Sequence, residues 1–236
     1  MIATCRVNRI SDADGQGFFG NVDHKHLMEL LSKRIADPRL LRLIQRFLSA
    51  GVMIDGGFHE TDEGVVQGSM LSPLLANVYL HYVLDQWFEE VVKHHIEGEA
   101  YLFRFADDFI CCFQHADDAK RFQSTLVKRM GRFGLSLAPE ETKLIRFGRF
   151  ATRDSKELGD GAPKTFDFLG FTHYCGLRCA GKFRLNRRTS KMKFQAKVQA
   201  MSDWLRGHLT TPRSVVWESE QRKLQGHYQY YWINDN

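Results

Sequence analysis

No stretch of the 236 residues approaches the run of about 18 apolar side chains that a membrane-crossing helix needs. The start, Met1-Ile-Ala-Thr-Cys-Arg-Val-Asn-Arg9, lacks the long apolar core of a signal peptide. A membrane partner is therefore not expected, and a cytoplasmic setting is. Cysteine is scarce and odd in number: of five, two are adjacent at Cys111-Cys112, a poor disulfide framework that fits a reducing compartment. His173, Cys175 and Cys179 lie close together, but the second half of a zinc motif is missing, so packing is the better reading of those side chains. Internal repeats and low-complexity tracts are absent. A composition of 43% hydrophobic and 26% charged residues excludes disorder and leaves enough apolar material for one substantial core or two modest ones.

The charge is unevenly spread. From Lys182 to the end there are eleven Lys or Arg against four acids, a segment of +7, which leaves −2 on the rest of a chain whose net charge is +5. Phe194, Trp204, Trp217, Tyr228, Tyr230, Tyr231 and Trp232 are interleaved with those cations. Basic and aromatic side chains mixed in this way suit a surface that tracks phosphates and packs on sugars or bases; a pair of solvated basic helices is the plainer alternative.

The chemistry is concentrated in Tyr101-Leu-Phe-Arg-Phe-Ala-Asp-Asp-Phe-Ile-Cys-Cys-Phe113, two apolar, aromatic-rich runs flanking Asp107 and Asp108. The pattern predicts a strand, a tight acidic turn and a returning strand, with Asp taking the unusual backbone angles of a two-residue connection. Carboxylates forced together at such a tip repel each other unless a cation shares them, and hard oxygen ligands suit Mg²⁺. An isolated Asp-Asp pair is as well explained by a solvated turn, so the rest of the chain has to decide.

Taken in order, Asp23 is a candidate N-cap for a helix reaching about Ala36, with Leu27, Leu30, Leu31 and Ile35 on one face. Asp37-Pro38 opens a second helix whose Leu40, Leu41, Leu43, Ile44 and Leu48 read as core. Residues 51–68 read as a loop or hairpin, and Ser72-Pro73 opens a long helix running to the surface pair His94-His95. An amphipathic helix is predicted over 117–130, a turn and short strand over 135–147, and a glycine-rich surface loop over 148–164. Thr165 to Tyr174 reads as one strand, with 176–185 returning beside it, and two helices close the chain.

In this order the motifs resemble those of reverse transcriptases, in particular the ones encoded by group II introns. Asp12-Ala-Asp14-Gly-Gln-Gly-Phe-Phe19 resembles the family's first metal-binding strand, and Gln67-Gly68-Ser-Met-Leu-Ser-Pro73 its template-side helix start. Phe105-Ala-Asp107-Asp108 resembles the metal-binding hairpin, and Gly134-Leu-Ser-Leu-Ala-Pro-Glu-Glu-Thr-Lys143 the lysine-bearing strand. Phe166-Asp-Phe-Leu-Gly-Phe-Thr-His-Tyr174 resembles the primer-contacting hairpin, and Lys223-Leu-Gln-Gly-His-Tyr-Gln-Tyr-Tyr231 the thumb or maturase segment. The resemblance implies an α+β fold, with a palm of antiparallel sheet and packed helices over 1–185 and a partial helical thumb over 186–236. The implied setting is bacterial cytoplasm or an organelle.

The implied activity is RNA-directed DNA synthesis: transfer of a nucleotide to a primer 3′-hydroxyl on an RNA template. Its expected partners are RNA template, intron RNA, DNA primer and deoxynucleoside triphosphates. By the resemblance, Asp14, Asp107 and Asp108 are catalytic and hold two Mg²⁺ ions, with the backbone of Gly15 as a further ligand. Phe19, Gln67, Gly68 and Lys143 are nucleotide-binding, and Leu169, Gly170, Arg187, Arg188 and Lys191 face primer and template. Two divalent ions suit a displacement that builds negative charge on both the attacking and the leaving oxygen.

The departures from the family pattern are specific. Only 13 residues precede Asp14, too few for a fingers region; Gly15-Gln16 replaces Ile-Lys, Gly20 a further acid, and Phe105 the commoner Tyr. With no DNA-binding or endonuclease module after the thumb, the expectation is a truncated copy. Two other readings stay open: an inactive RNA-binding maturase remnant, and a reverse transcriptase from a retron, CRISPR-linked or diversity-generating element.

Overall fold

A computed structural model describes residues 5–13, 15–16, 18–54, 57–59, 64, 71–137, 142–159, 161–177 and 181–233. The chain divides by its contacts into two units, residues 1–150 and 151–236. The architecture is α+β, antiparallel sheets with packed helices.

The first unit opens with β1 (Arg9–Ala13) and the two-residue β2 (Gly15–Gln16). It continues through α1 (His24–Ser32), α2 (Pro38–Leu48), the ribbon β3 (Val52–Ile54) and β4 (Gly57–His59), and α3 (Ser72–Leu80). A π-helical turn, His81–Asp85, joins α3 to α4 (Gln86–Glu90). After β5 (Ala100–Phe105), β6 (Asp108–Phe113) and α5 (Ala116–Arg132) come β7 (Ser136–Leu137), which pairs with β2, and β8 (Lys143–Arg146).

The central sheet has the order β5-β6-β1-β8 and every pairing is antiparallel. Its inward face is the apolar alternation of β6 and β1, where Ala13, Phe109, Cys111 and Phe113 are buried in one cluster. α5 lays Ala119, Phe122, Leu126 and Met130 on that core at helical spacing. Phe88, Phe113 and Phe122 meet edge-on or tilted at 5.1–6.4 Å, and Trp87 stacks on Phe122 at 5.9 Å. Ring pairs at these angles add to the burial of their area. Tyr79, wholly buried, keeps its hydroxyl satisfied by donating to the Phe133 carbonyl at 2.7 Å.

The expected cap forms, and a second one opens the next helix. Asp23 accepts from the His26 amide and Asp37 from the Arg39 amide, each at 2.8 Å. Other expectations are corrected. α1 stops at Ser32, short of Ala36. Leu40 and Leu43 are 43% and 64% exposed, because the apolar residues of α2 wrap more than one face and Ile44 and Leu48 alone bury fully. The long helix after Ser72 is broken by the π-helical turn. Part of the 148–164 loop is helical, because Ala151 and Ser155, one turn apart, both find burial.

The second unit holds α6 (Ala151–Glu157), a meander of β9 (Phe166–Phe168), β10 (Phe171–Leu177) and β11 (Phe183–Thr189), and then α7 (Lys191–Gly207) and α8 (Arg213–Tyr231). The stretch expected as one strand over 165–174 is therefore a hairpin, turned by Leu169 and Gly170, whose φ angles are +52° and +78°. Within the second unit the meander packs with the helices: Phe171 stacks on Tyr230 at 5.7 Å and meets the Tyr231 ring, tilted, at 5.2 Å. Among the described residues no helix is long and apolar enough to cross a membrane.

Candidate active site

The acidic tip forms by pairing Phe105 with Asp108, which leaves Ala106-Asp107 as the two-residue connection. The left-handed conformation falls on Ala106, φ +55°, and not on an aspartate as the sequence had suggested. For an L side chain this geometry costs about 1–2 kcal/mol. Strain of this kind persists only where neighbours over-determine it, and functional turns are where it collects. Asp107 and Asp108 are half-buried, while Phe105 stands 67% exposed beside them.

Behind the tip the strand is dry. Burial pushes the Cys111 thiol well up, with the neighbouring Cys112 adding to it, and burial, with a contribution from Cys5, raises that of Cys112 to about 12. Both are inert apolar filler at neutral pH. His173, in the second unit, also packs, stacking on Phe166 at 4.8 Å.

The register brings Lys143 and the backbone flanking Asp14 to the same sheet end. Ala13, chemically bonded to Asp14, lies opposite Phe109, which follows Asp108. Asp12 lies opposite Ile110 on one side and Lys143 on the other. Gly15 pairs with Leu137 in the small β2-β7 ribbon. Asp107, Asp108, Lys143 and the backbone on both sides of Asp14 thus gather at one end of the sheet. Asp14, Gln67 and Gly68 lie outside the described residues. Phe19 belongs to the 3₁₀ turn Phe18–Gly20, whose Phe18 enters the core.

Two adjacent carboxylates at a half-exposed tip are a hard-oxygen donor set that fits Mg²⁺. They are two of the three acids expected, and among the described residues no trio of His, Cys, Asp or Glu forms a cluster able to hold a metal.

In the second unit, Leu169 and Gly170 form the β9-β10 turn. The Tyr230 hydroxyl donates to the Leu169 carbonyl at 2.9 Å, and the Ser190 amide donates to the Gly170 carbonyl at 2.9 Å. Asp167 accepts from Thr172 and Ser190 hydroxyls at 2.5 and 2.6 Å, tying this turn to the start of α7. Arg187 and Arg188 project from β11 and Lys191 begins α7, all exposed, with the Arg188 guanidinium 5.7 Å from the Tyr174 ring.

Sequence reasoning passed over Tyr230 as a clamp on the turn, and over Arg104 and Asp85. One signal for the latter was present: an arginine inside the apolar run 101–105 needs a partner.

Comparison with known proteins bears on the whole arrangement. The family model described as reverse transcriptase (RNA-dependent DNA polymerase) matches residues 4–173. The group II intron-encoded protein LtrA of Lactococcus lactis subsp. cremoris is 44% identical over 70 residues, 30% of this chain and 12% of that protein. The telomerase reverse transcriptase of Rattus norvegicus is 32% identical over 172 residues, 72% of this chain and 14% of that protein. The chain thus spans about an eighth of the length of these curated relatives. Among solved structures, apo telomerase from Candida tropicalis superposes with a TM-score of 0.56 at 15% identity, covering 78% of this chain and 36% of that one. At that identity the likeness speaks for the fold.

Proposed function

The chain belongs to the reverse transcriptase family, and from that premise we propose that its first unit is the palm of an RNA-directed DNA polymerase of the group II intron lineage. The observation that carries this reading is the gathering of Asp107, Asp108, Lys143 and the backbone flanking Asp14 at one end of a four-stranded sheet backed by a dry core. The 44% identity to an intron-encoded protein favours that lineage over the more distant telomerase relatives.

Asp14, Asp107 and Asp108, with the Gly15 carbonyl, would hold a pair of divalent ions. When bound, such ions lower the pKa of an attacking hydroxyl and neutralise charge on a triphosphate. The chain's own contribution is placement. The antiparallel register would bring the carboxylates together, the apolar sheet behind them would limit water, and Lys143 would offer a cation to phosphate oxygens from the neighbouring strand. Phe19 would stack under the incoming sugar and reject a 2′-hydroxyl by steric clash. Gln67 and Gly68 would lie against the template and nascent pair. Leu169 and Gly170 would support the primer end, and Arg187, Arg188 and Lys191 would meet backbone phosphates, with the remaining basic surface of α7 and α8 available to intron RNA.

Primer extension on an RNA template, run beside Asp107→Asn, tests the reading. Incorporation by the parent chain and its loss in the variant support polymerisation; equal incorporation by both removes it. Salt-dependent RNA binding without incorporation by the parent, unaffected by substituting Asp107, would instead favour an RNA-binding protein that uses the +7 segment alone.

A further inference from the structure

The turn that presents Asp107 is held by an arginine side chain. Arg104, the residue before Phe105 on β5, reaches its guanidinium to the turn. Its Nη1 donates to the Ala106 carbonyl at 2.8 Å and to Asn77 Oδ1 at 2.8 Å. Its Nε and Nη2 donate to the two oxygens of Asp85 at 2.7 and 2.5 Å. The pair is well sheltered, 13% exposed on Arg104 and 28% on Asp85. A forked, two-point ion pair fixes direction as well as distance, which a lysine cannot do. The carbonyl it holds belongs to the one residue of the turn with a left-handed backbone, Ala106.

Asp85 faces Arg104 because of the π-helical turn it closes. Such a turn inserts one residue into an α-helix, so every later position is rotated about the axis by about 100° relative to an uninterrupted helix. Backbone carbonyls of the turn are taken up from α5: Arg129 Nε donates to Val83 O at 3.0 Å and Nη2 to Tyr82 O at 3.3 Å. The Arg129 guanidinium is itself seated 4.5 Å from the Phe133 ring and 5.6 Å from that of Trp87. Two arginines on separate elements thus serve one end: one stabilises the inserted turn, the other transmits its direction to the acidic tip.

We infer that Arg104, oriented by Asp85 across the π-helical turn, is a positioning residue that holds Ala106 left-handed and thereby fixes the carboxylate of Asp107. Its consequence for synthesis rests on the polymerase reading; the positioning itself does not.

The test uses the full chain and two readouts. Arg104→Lys keeps the charge and loses the fork; Asp85→Asn keeps the shape and loses the charge. Backbone amide exchange followed by NMR is expected to quicken by about tenfold or more at the closing pair Phe105 and Asp108 in either variant, while Ile10 and Ser11 of β1 keep their protection. Because the two side chains act as a unit, the double variant should exchange no faster than the worse single one. In primer extension, kcat should fall between about tenfold and a hundredfold with little change in KM for primer-template. Unchanged exchange at the tip, exchange raised equally across the sheet, or additive effects in the double variant would overturn the inference. A parent chain that makes no product defeats the polymerase reading, while the exchange data still decide the positioning.

Discussion

The two units use their apolar residues differently. In the first, strands and helices share a continuous core from Ala13 to Leu135 that includes Tyr79, Phe88 and Phe113 at full burial. In the second, α7 buries no residue and α8 buries Glu220 alone, while Phe194, Val198, Trp217 and Trp232 stand between 49% and 82% exposed. The acid-bearing sheet therefore owes its rigidity to packing behind it. The β9-β10 turn owes its placement to a few polar clamps, Tyr230, Ser190 and Asp167. A core tolerates little change in volume but ignores salt and pH; clamps and exposed cations should respond to both.

The largest effect that would sharpen this contrast is on stability. Phe113→Ala, at the centre of the aromatic cluster, should cost about 3–5 kcal/mol in urea denaturation, whereas Phe194→Ala in α7 should cost under about 1 kcal/mol. Equal losses would erase the distinction. Next comes RNA affinity. Replacing Arg187, Arg188 and Lys191 together by Gln should weaken binding of single-stranded RNA and reduce the slope of log affinity against log salt by up to about 2, at roughly 0.7 for each phosphate no longer neutralised. An unchanged slope would mean that these three cations meet no phosphate.

A smaller loss is expected at the clamped turn. Gly170→Ala meets a left-handed backbone and sets its Cβ 2.9 Å from the Tyr231 hydroxyl. The ring can swing away, so the cost is mainly the backbone's, about 1–2 kcal/mol. The smallest effect concerns pH. Burial, together with nearby Arg187 and against the Phe171 carbonyl and Asp167, holds the His173 imidazole below its usual 6.5. The unfolded chain then takes up its proton first, so this contribution to stability is complete above about pH 6.5 and is lost as pH falls below it. His173→Gln should flatten that dependence; an unaltered slope would assign it to another group.

Much of the first unit could be read from residues alone, because periodicity and caps act locally. Asp23 and Asp37 cap where their side chains can reach a free amide, and the alternation around Asp107-Asp108 admits one register. What escaped reading depends on tertiary partners. Nothing within 81–85 announces a π-helical turn; its carbonyls are met by Arg129, more than 40 residues away. Leu169 and Ala106 hold left-handed angles that their own side chains disfavour, so tertiary clamps such as those of Tyr230 and Arg104 account for them, and local propensity does not. The helix over 151–157 was hidden because a short polar segment has no helical period of its own until Ala151 and Ser155 are buried.

Whether acids from two strands converge on shared divalent ions is tested most directly by a crystal of the chain soaked in Mn²⁺. Anomalous scattering should reveal two peaks about 4 Å apart, each within bonding reach of the Asp14 and Asp107 carboxylates. Ordered carboxylates of these two residues standing more than about 8 Å apart, with no manganese between them, would contradict it.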